Sequence, residues 1–369
     1  MDPVLALALL AAAGGPVAPR RRLLEQAPDP AEALADRALW RACQLTPSQA
    51  AFLRAPPDGL AGRLEAWLAE PGHSVLACTG TDYPPALAQA PGPPLALFVA
   101  GDASLLWRPS IAVVGSRAPT PGGVQHAAEF ARAFAQAGFV VGSGMAAGID
   151  AAAHAAVLDA GGPTFAVLGT GPDVVYPLDN TALHARLADR GLLVSEHPPG
   201  TRPRREHFPS RNRLLAALCL GTVVIEAAER SGALITARLA AEAGREVFAL
   251  PGSIRNPLAR GCHRLIREGA TLVETPAEVV EALAQDAAIE ARRALERLCP
   301  DGPAAAAEAP ADMPAAHQML WQAMGFDPTD MDELAERTGL TLLELSPMLL
   351  AMELDGRIAR EHGRYVRLG

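Results

Sequence analysis

The chain has 369 residues, half of them apolar, which is enough for two or three packed domains and excludes disorder as its main state. Its formal net charge of -9 excludes a protein that coats nucleic acid through overall charge, but leaves room for a local basic site, because phosphate binding depends on where the charge sits. All 32 basic residues are Arg, and the five cysteines (Cys43, Cys78, Cys219, Cys262 and Cys299) are scattered without a C-x-x-C pair, which argues against a disulfide framework or a zinc site and fits a reducing cytosol.

The chain opens on V-L-A-L-A-L-L-A-A-A, residues 4–13, which lacks a positive flank and is too short to cross a bilayer; it is expected as a buried helix. Helical spacing punctuated by Gly14-Gly15-Pro16, Pro28-Asp29-Pro30 and Pro56-Pro57-Asp58-Gly59 continues to about residue 75, predicting a small helical domain over 1–75. Its G-G-P-V-A-P-R-R-R-L-L-E turn resembles the SAM or helix-hairpin-helix type, a backbone-phosphate binder, although a plain packing turn has the same pattern. Residues 75–107, broken by prolines, are expected as a lead-in.

From Ile111 the pattern changes. The runs I-A-V-V-G-S, F-V-V-G-S-G, T-F-A-V-L-G-T, L-L-V-S-E, T-V-V-I-E-A and E-V-F-A-L-P-G are continuous apolar segments suited to buried parallel strands. Between them lie helical stretches at 124–137, 151–160, 181–190, 212–220, 233–243 and 258–268. This alternation predicts an α/β domain over 76–284, a doubly wound, mostly parallel, extended Rossmann-like sheet, with T-L-V-E-T as a possible edge strand. Residues 285–313 lose the pattern and are expected as a linker. Residues 314–369 carry three short helical segments and a hairpin, the layout of a winged helix. Its second DNA-reading position, T-L-L-E-L-S-P-M-L-L-A-M-E-L-D, holds Glu344, Glu353 and Asp355, while Pro347 is expected to bend or restart the helix and Arg357, Arg360, Arg364 and Arg367 fall in the wing. Such a domain is expected to contact protein, or duplex backbone weakly, rather than to read base sequence.

Arg202 to Arg213, R-P-R-R-E-H-F-P-S-R-N-R, concentrates Arg202, Arg204, Arg205, Arg211 and Arg213 around one aromatic, Phe208. Guanidinium groups take phosphate oxygens and an aromatic ring offers a base a surface to stack on, which are the requirements of a single-stranded nucleic acid site; a solvated loop leading into the helix R-N-R-L-L-A-A-L is the plain alternative. Small residues recur where strand turns to helix: Ser116 and Arg117, Ser143 and Gly144, and Ser231-Gly232 before A-L-I-T-A-R. There backbone N–H groups and helix N-termini can approach an anion. The chain shows neither a G-x-G-x-x-G nor a P-loop, and V-V-G-S-G-M-A-A-G-I-D lacks the P-loop lysine, so ATP hydrolysis is not expected. Asp150 and His154, four apart, are expected as a helix cap and an ordinary histidine rather than a metal pair.

The motifs V-V-G-S-R, S-G-M-A-A-G-I-D-A-A-A-H, V-L-G-T-G-x-D-x-x-Y-P-x-x-N, S-E-H-P-P-G, F-P-S-R-N-R-L-L-A-A-L, V-V-I-E-A-x-x-x-S-G-A-L-I-T-A and E-V-F-A-L-P-G-S-I follow one another from about Tyr83 to Val280. In that order they resemble the DNA-processing protein A family, DprA or Smf. The resemblance implies a non-catalytic cytoplasmic protein without cofactor or metal. It would bind and protect incoming single-stranded DNA in natural transformation, help load the RecA recombinase, and form a homodimer through its α/β core. By position, Arg117, Arg205 (where a Lys is common in the family) and Phe208 fall where the family holds phosphate and stacks a base. The candidate DNA-binding set is Ser116, Arg117, Ser143, Gly144, Arg204, Arg205, Phe208, Arg211, Asn212, Arg213, Ser231 and Gly232. Arg211 and Arg213 are equally suited to internal ion pairs with the strand-end acids Glu196 and Glu226. The alternative function is a nucleoside-monophosphate phosphoribohydrolase of the lysine-decarboxylase-like group, with Glu226 as its acid, although L-G-T-V-V-I-E-A lacks that group's glycine bed.

Overall fold

The computed structural model describes residues 1–27, 29–298, 314–324, 329–355, 357–361 and 364–367. They fall into two compact units, residues 1–294 and 295–369.

The first unit is built on a nine-stranded sheet: β1 (His73–Ala77), β2 (Ala96–Gly101), β3 (Ser110–Val114), β4 (Val140–Ser143), β5 (Thr164–Leu168), β6 (Leu192–Ser195), β7 (Gly221–Val224), β8 (Glu246–Ala249) and β9 (Thr271–Leu272). The order is β1-β2-β6-β5-β4-β3-β7-β8-β9, parallel from β6 to β9. The antiparallel pair β1 and β2 extends the β6 edge. The doubly wound sheet expected from the apolar runs is present. The lead-in over 75–107 supplies two further strands that its prolines concealed; Pro84, Pro85, Pro91, Pro93 and Pro94 all lie between β1 and β2, outside the ladder.

Both faces are covered, and the period of two in a strand decides which side chain meets which layer. In β3, Ile111 and Val113 join Phe130, Phe134 and Ile149 on one face, while Ala112 and Val114 join Leu214, Leu215, Ala233 and Ala237 on the other. In β2 and β5, Phe98, Ala166 and Leu168 share a core with Leu5, Leu9, Leu10, Leu64 and Trp67. The N-terminal helices thus pack on the sheet itself, and the core is continuous across the expected boundary at 75/76. The first helix, Pro3–Ala12, has six consecutive buried residues, Leu5 to Leu10, as a core helix must. The Gly14-Gly15-Pro16 turn is held from inside: the Arg20 guanidinium donates to the carbonyls of Leu10, Ala11 and Gly15, and the Gln49 amide to those of Gly14 and Pro16.

Two boundaries differ from expectation. The basic stretch turns helical at His207 rather than Asn212, because Leu214, Leu215 and Leu218 bury one face of the helix His207–Leu218 and draw its first turn into register. The helix Pro276–Leu298 continues through residues 285–298, expected as linker, anchored by Val279 and Leu283 in the core; residues 299–313, with Cys299, lie outside the described residues.

In the second unit the helices Ala315–Met324, Met331–Thr338 and Leu342–Leu354 surround a core of Leu320, Leu334, Leu345, Leu349, Met352, Ile358 and Tyr365, with β10 (Ile358–Glu361) and β11 (Arg364–Arg367) paired as the wing. Pro347 neither breaks nor restarts its helix, which runs unbroken behind a Thr341–Glu344 capping box. Arg367 is not an outward-facing wing cation: its guanidinium lies 4.6 Å over the Trp321 ring and donates to the Trp321 carbonyl.

Candidate nucleic-acid interface

Strand order reverses at β3. From it the chain winds through β4 and β5 to β6 on one side, then crosses to β7 on the other. The helix after β3, Pro121–Gln136, and the helix after β7, Ala233–Glu242, lie on opposite faces, so the loops at the carboxyl ends of these strands splay apart. The opening is a cleft of about 710 Å³. Nine of the twelve candidate residues line it: Ser116, Arg117, Gly144, Arg205, Phe208, Arg211, Asn212, Ser231 and Gly232.

The floor is packed too closely for side chains. A Cβ on Gly115 would lie 2.7 Å from Ile149 Cγ1, and one on Gly148 (φ +82°) would lie 2.4 Å from the Ser116 carbonyl. Backbone therefore meets backbone, and the Ile149 N–H donates to the Ser116 carbonyl at 3.1 Å. Arg211 is the bolt of this floor. Its Nη1 donates to the carbonyls of Gly144 and Val167, both at 2.5 Å, and its Nε to Asn212 Oδ1 at 2.9 Å. Beside it Asp150 accepts from the N–H groups of Gly144 and Ala146, so the predicted helix-cap role resolves into a clamp on the preceding loop. Burial pushes the Asp150 carboxyl up, while the Arg211 charge and those two N–H groups pull it back down.

The mouth is different. Arg117 and Arg205 are exposed, and the Arg117 guanidinium stands 5.8 Å over the half-buried Phe208 ring. The Tyr176 ring lies 5.4 Å from Phe208, tilted by 43°, and is 40% exposed. Tyr176 has no role in the sequence-based candidate set; the available signal was an aromatic in the D-x-x-Y-P motif of the loop that follows β5. Arg230, also on the cleft wall, was missed because it sits in an ordinary-looking A-A-E-R-S-G loop. Opposite, Ser231 and Gly232 precede the helix Ala233–Glu242, whose positive dipole end favours negative charge, while its first N–H groups, on Ala233, Leu234 and Ile235, are bonded to Ser231 and Gly232.

Three candidates stand apart. Ser143 is fully buried and donates to the Val113 carbonyl at 2.6 Å, so it ties β4 to β3 and reaches no ligand. Arg213 forms the internal pair with Glu196, at 2.5 Å and partly buried, and also donates to the Gly92 carbonyl. Arg204 is exposed on the loop outside the cleft. Glu226 holds Thr120, the N-cap of the helix Pro121–Gln136: its carboxylate accepts from the Thr120 N–H at 2.9 Å and Thr120 Oγ1 at 2.7 Å, and from Asn256 Nδ2 at 3.3 Å. It is therefore committed to the scaffold rather than turned into the cleft. His154 is fully enclosed, bonded through Nδ1 to Thr164 Oγ1 at 2.7 Å. Among the described residues no group of three or more His, Cys, Asp and Glu side chains is placed to hold a metal ion, and no helix is long and apolar enough to cross a membrane.

The fold and cleft define a Rossmann-like protein with a crevice edged by arginine and aromatic side chains at its topological switch point. The chain belongs to the DNA-processing protein A (DprA/Smf) family. The sequence model of DNA recombination-mediator protein A matches residues 74–284, and that of the DprA winged helix domain matches residues 303–364. Protein Smf of Escherichia coli K12 is 40% identical over 320 residues, 86% of this chain and 83% of that protein. DNA processing protein DprA of Streptococcus pneumoniae R6 is 46% identical over 198 residues, 54% of this chain and 70% of that protein. The crystal structure of DprA from S. pneumoniae superposes with a TM-score of 0.60 at 36% identity, covering 74% of this chain and 95% of that one. DNA processing protein A from Helicobacter pylori, whose structure describes a single-stranded DNA binding mode, superposes with a TM-score of 0.53 at 30% identity, covering 58% and 96%.

Proposed function

We propose that this protein binds single-stranded DNA in the switch-point cleft, without catalysing a reaction on it. The observation that carries this is the pairing at the cleft mouth of exposed Arg117 and Arg205 with the Phe208–Tyr176 rings. Guanidinium groups follow a phosphate backbone and aromatic faces stack any base, so the site favours unpaired strands with little sequence preference. The Ser116 and Gly144 backbone, Asn212, Ser231 and Gly232 shape the phosphate-facing walls, Arg204 adds charge outside, and Ser143, Arg211 and Arg213 hold the frame. The H. pylori relative supports the same ligand. In this proposal the protein is a cytoplasmic homodimer that protects incoming DNA during transformation and helps load the RecA recombinase; the family supplies that part. Light scattering that found only monomer at micromolar concentration, or RecA filaments that formed no faster on strands coated with the protein, would remove it.

The decisive experiment is a gel shift with single- and double-stranded oligonucleotides across a salt series. Tighter binding to single strands is expected, with a slope of log K against log salt of about -0.7 for each phosphate neutralised. Equal or tighter duplex binding would reject the proposal. For the phosphoribohydrolase alternative no observation speaks, since Glu226 is engaged by Thr120 and Asn256; release of free base from AMP or CMP would revive it.

A further inference from the structure

The carboxyl ends of β3, β4, β5 and β6 form a row, each about 4.8 Å from the next. The chain after β5 is joined on this ledge to the segment that follows β6. The Gly169 carbonyl accepts from His207 Nδ1 at 3.0 Å, and the Gly171 N–H donates to the Thr201 carbonyl, in the loop after β6, at 2.9 Å. Past that loop stands the N-terminal helix Leu60–Leu68. A Cβ on Gly200 would lie 3.9 Å from Arg63 Nε, which places this guanidinium against the loop that carries Arg202, Arg204 and Arg205. Arg63 is exposed. The ledge from Arg117 to Arg63 therefore presents five exposed arginines.

The ledge also carries acids, two of them already engaged: Asp173 accepts from the Gly200 N–H at 2.8 and 3.0 Å and Glu196 is neutralised by Arg213, whereas Asp179 and Glu206 are exposed. Asp58 and Glu65 flank Arg63 in its own segment and face solvent. From β3 to β6 the ledge spans three strand spacings, about 14 Å, so a strand filling the cleft need add only a few nucleotides to reach the helical region.

We infer that the N-terminal helical region is part of the DNA-binding surface: a single strand leaving the cleft passes over the 198–205 loop, and Arg63 takes one of its phosphates. This rests on the proposed single-strand function of the cleft, and the test separates the two. Affinities of the full chain and of its Arg63→Ala, Arg117→Ala and Arg132→Ala variants are measured by fluorescence anisotropy on oligothymidylates of about four and about sixteen nucleotides. Arg132 is an exposed residue late in the helix Pro121–Gln136, which leads away from the carboxyl edge, and serves as the charge control. The expected result is that Arg63→Ala weakens binding of the longer strand about two- to fivefold and lowers its salt slope by about 0.7, with the short strand unaffected. Arg117→Ala weakens both. If Arg63→Ala matched Arg132→Ala on the longer strand, or weakened both lengths equally, the extension would be overturned while the cleft stood. If Arg117→Ala also left both lengths unchanged, the cleft itself would be misassigned.

Discussion

Arg205 and Arg211 belong to one basic stretch, yet one guanidinium is open to solvent at the cleft mouth while the other is 5% exposed beneath it. Their substitutions should separate accordingly. Arg205→Ala is expected to change stability by less than about 0.5 kcal/mol, as for most exposed sites, and to weaken single-strand binding across all sequences. Arg211→Ala leaves Asp150 buried without its countercharge and strips donors from two carbonyls, so it should cost about 3–5 kcal/mol, read by urea denaturation. A stable Arg211→Ala protein with impaired binding would mean that this arginine serves the ligand after all. Phe208, half-buried and flanked by Tyr176 and Arg117, is expected to contribute as a stacking surface worth about 1–3 kcal/mol per base. Phe208→Ala should thus lower affinity roughly ten- to a hundredfold with a small change in melting temperature. A core phenylalanine would behave oppositely, losing about 3–5 kcal/mol of stability on truncation.

At the scale of elements, the helix Ile149–Asp159 carries His154 into a fully enclosed position, and burial lowers its pKa from 6.5 to about 3. The folded protein therefore stays neutral there while the unfolded chain takes up a proton below pH 6.5. The stability this histidine contributes is complete above about pH 6.5 and is lost as pH falls towards 3, an effect on the order of 4–5 kcal/mol when fully developed. Replacing it with the non-titrating His154→Gln should flatten the stability profile between pH 6.5 and 4, even if that variant is less stable at pH 7. An unchanged acid limb would assign the loss to other groups. Elements also show where sequence patterns mislead: the helix His207–Leu218 begins among prolines and arginines because its apolar face is fixed by the sheet below, and local propensity carries no record of that contact.

Across the whole molecule, the charge that matters to the proposed ligand is concentrated on one edge of the first unit, in a chain whose formal net charge is -9. The winged-helix unit adds little to it. Glu344 is engaged in a helix cap, Glu353 and Asp355 are exposed acids, and Arg367 is engaged by Trp321. A protein truncated after about Ala311 is therefore expected to keep most of its single-strand affinity, as measured in the same anisotropy assay. Loss of nearly all binding on truncation would place a principal contact in that unit.

The parallel sheet was legible in the residues alone, because buried strands need uninterrupted apolar runs, and so was the edge that carries the cleft, because strand ends marked by Gly and Ser permit backbone to approach an anion. Composition alone also singled out Phe208 and its arginines. Which of those arginines are available depends on the three-dimensional packing. Arg211 and Arg213 differ from Arg205 not in chemistry but in what the fold places beside them: the Gly144 and Val167 carbonyls for one and Glu196 for the other. That packing likewise brought Tyr176 to Phe208 and Arg63 to Gly200, contacts between residues far apart in the chain. Spacing along a sequence encodes the faces of single elements, whereas pairings across a sheet edge arise only when those faces are buried together.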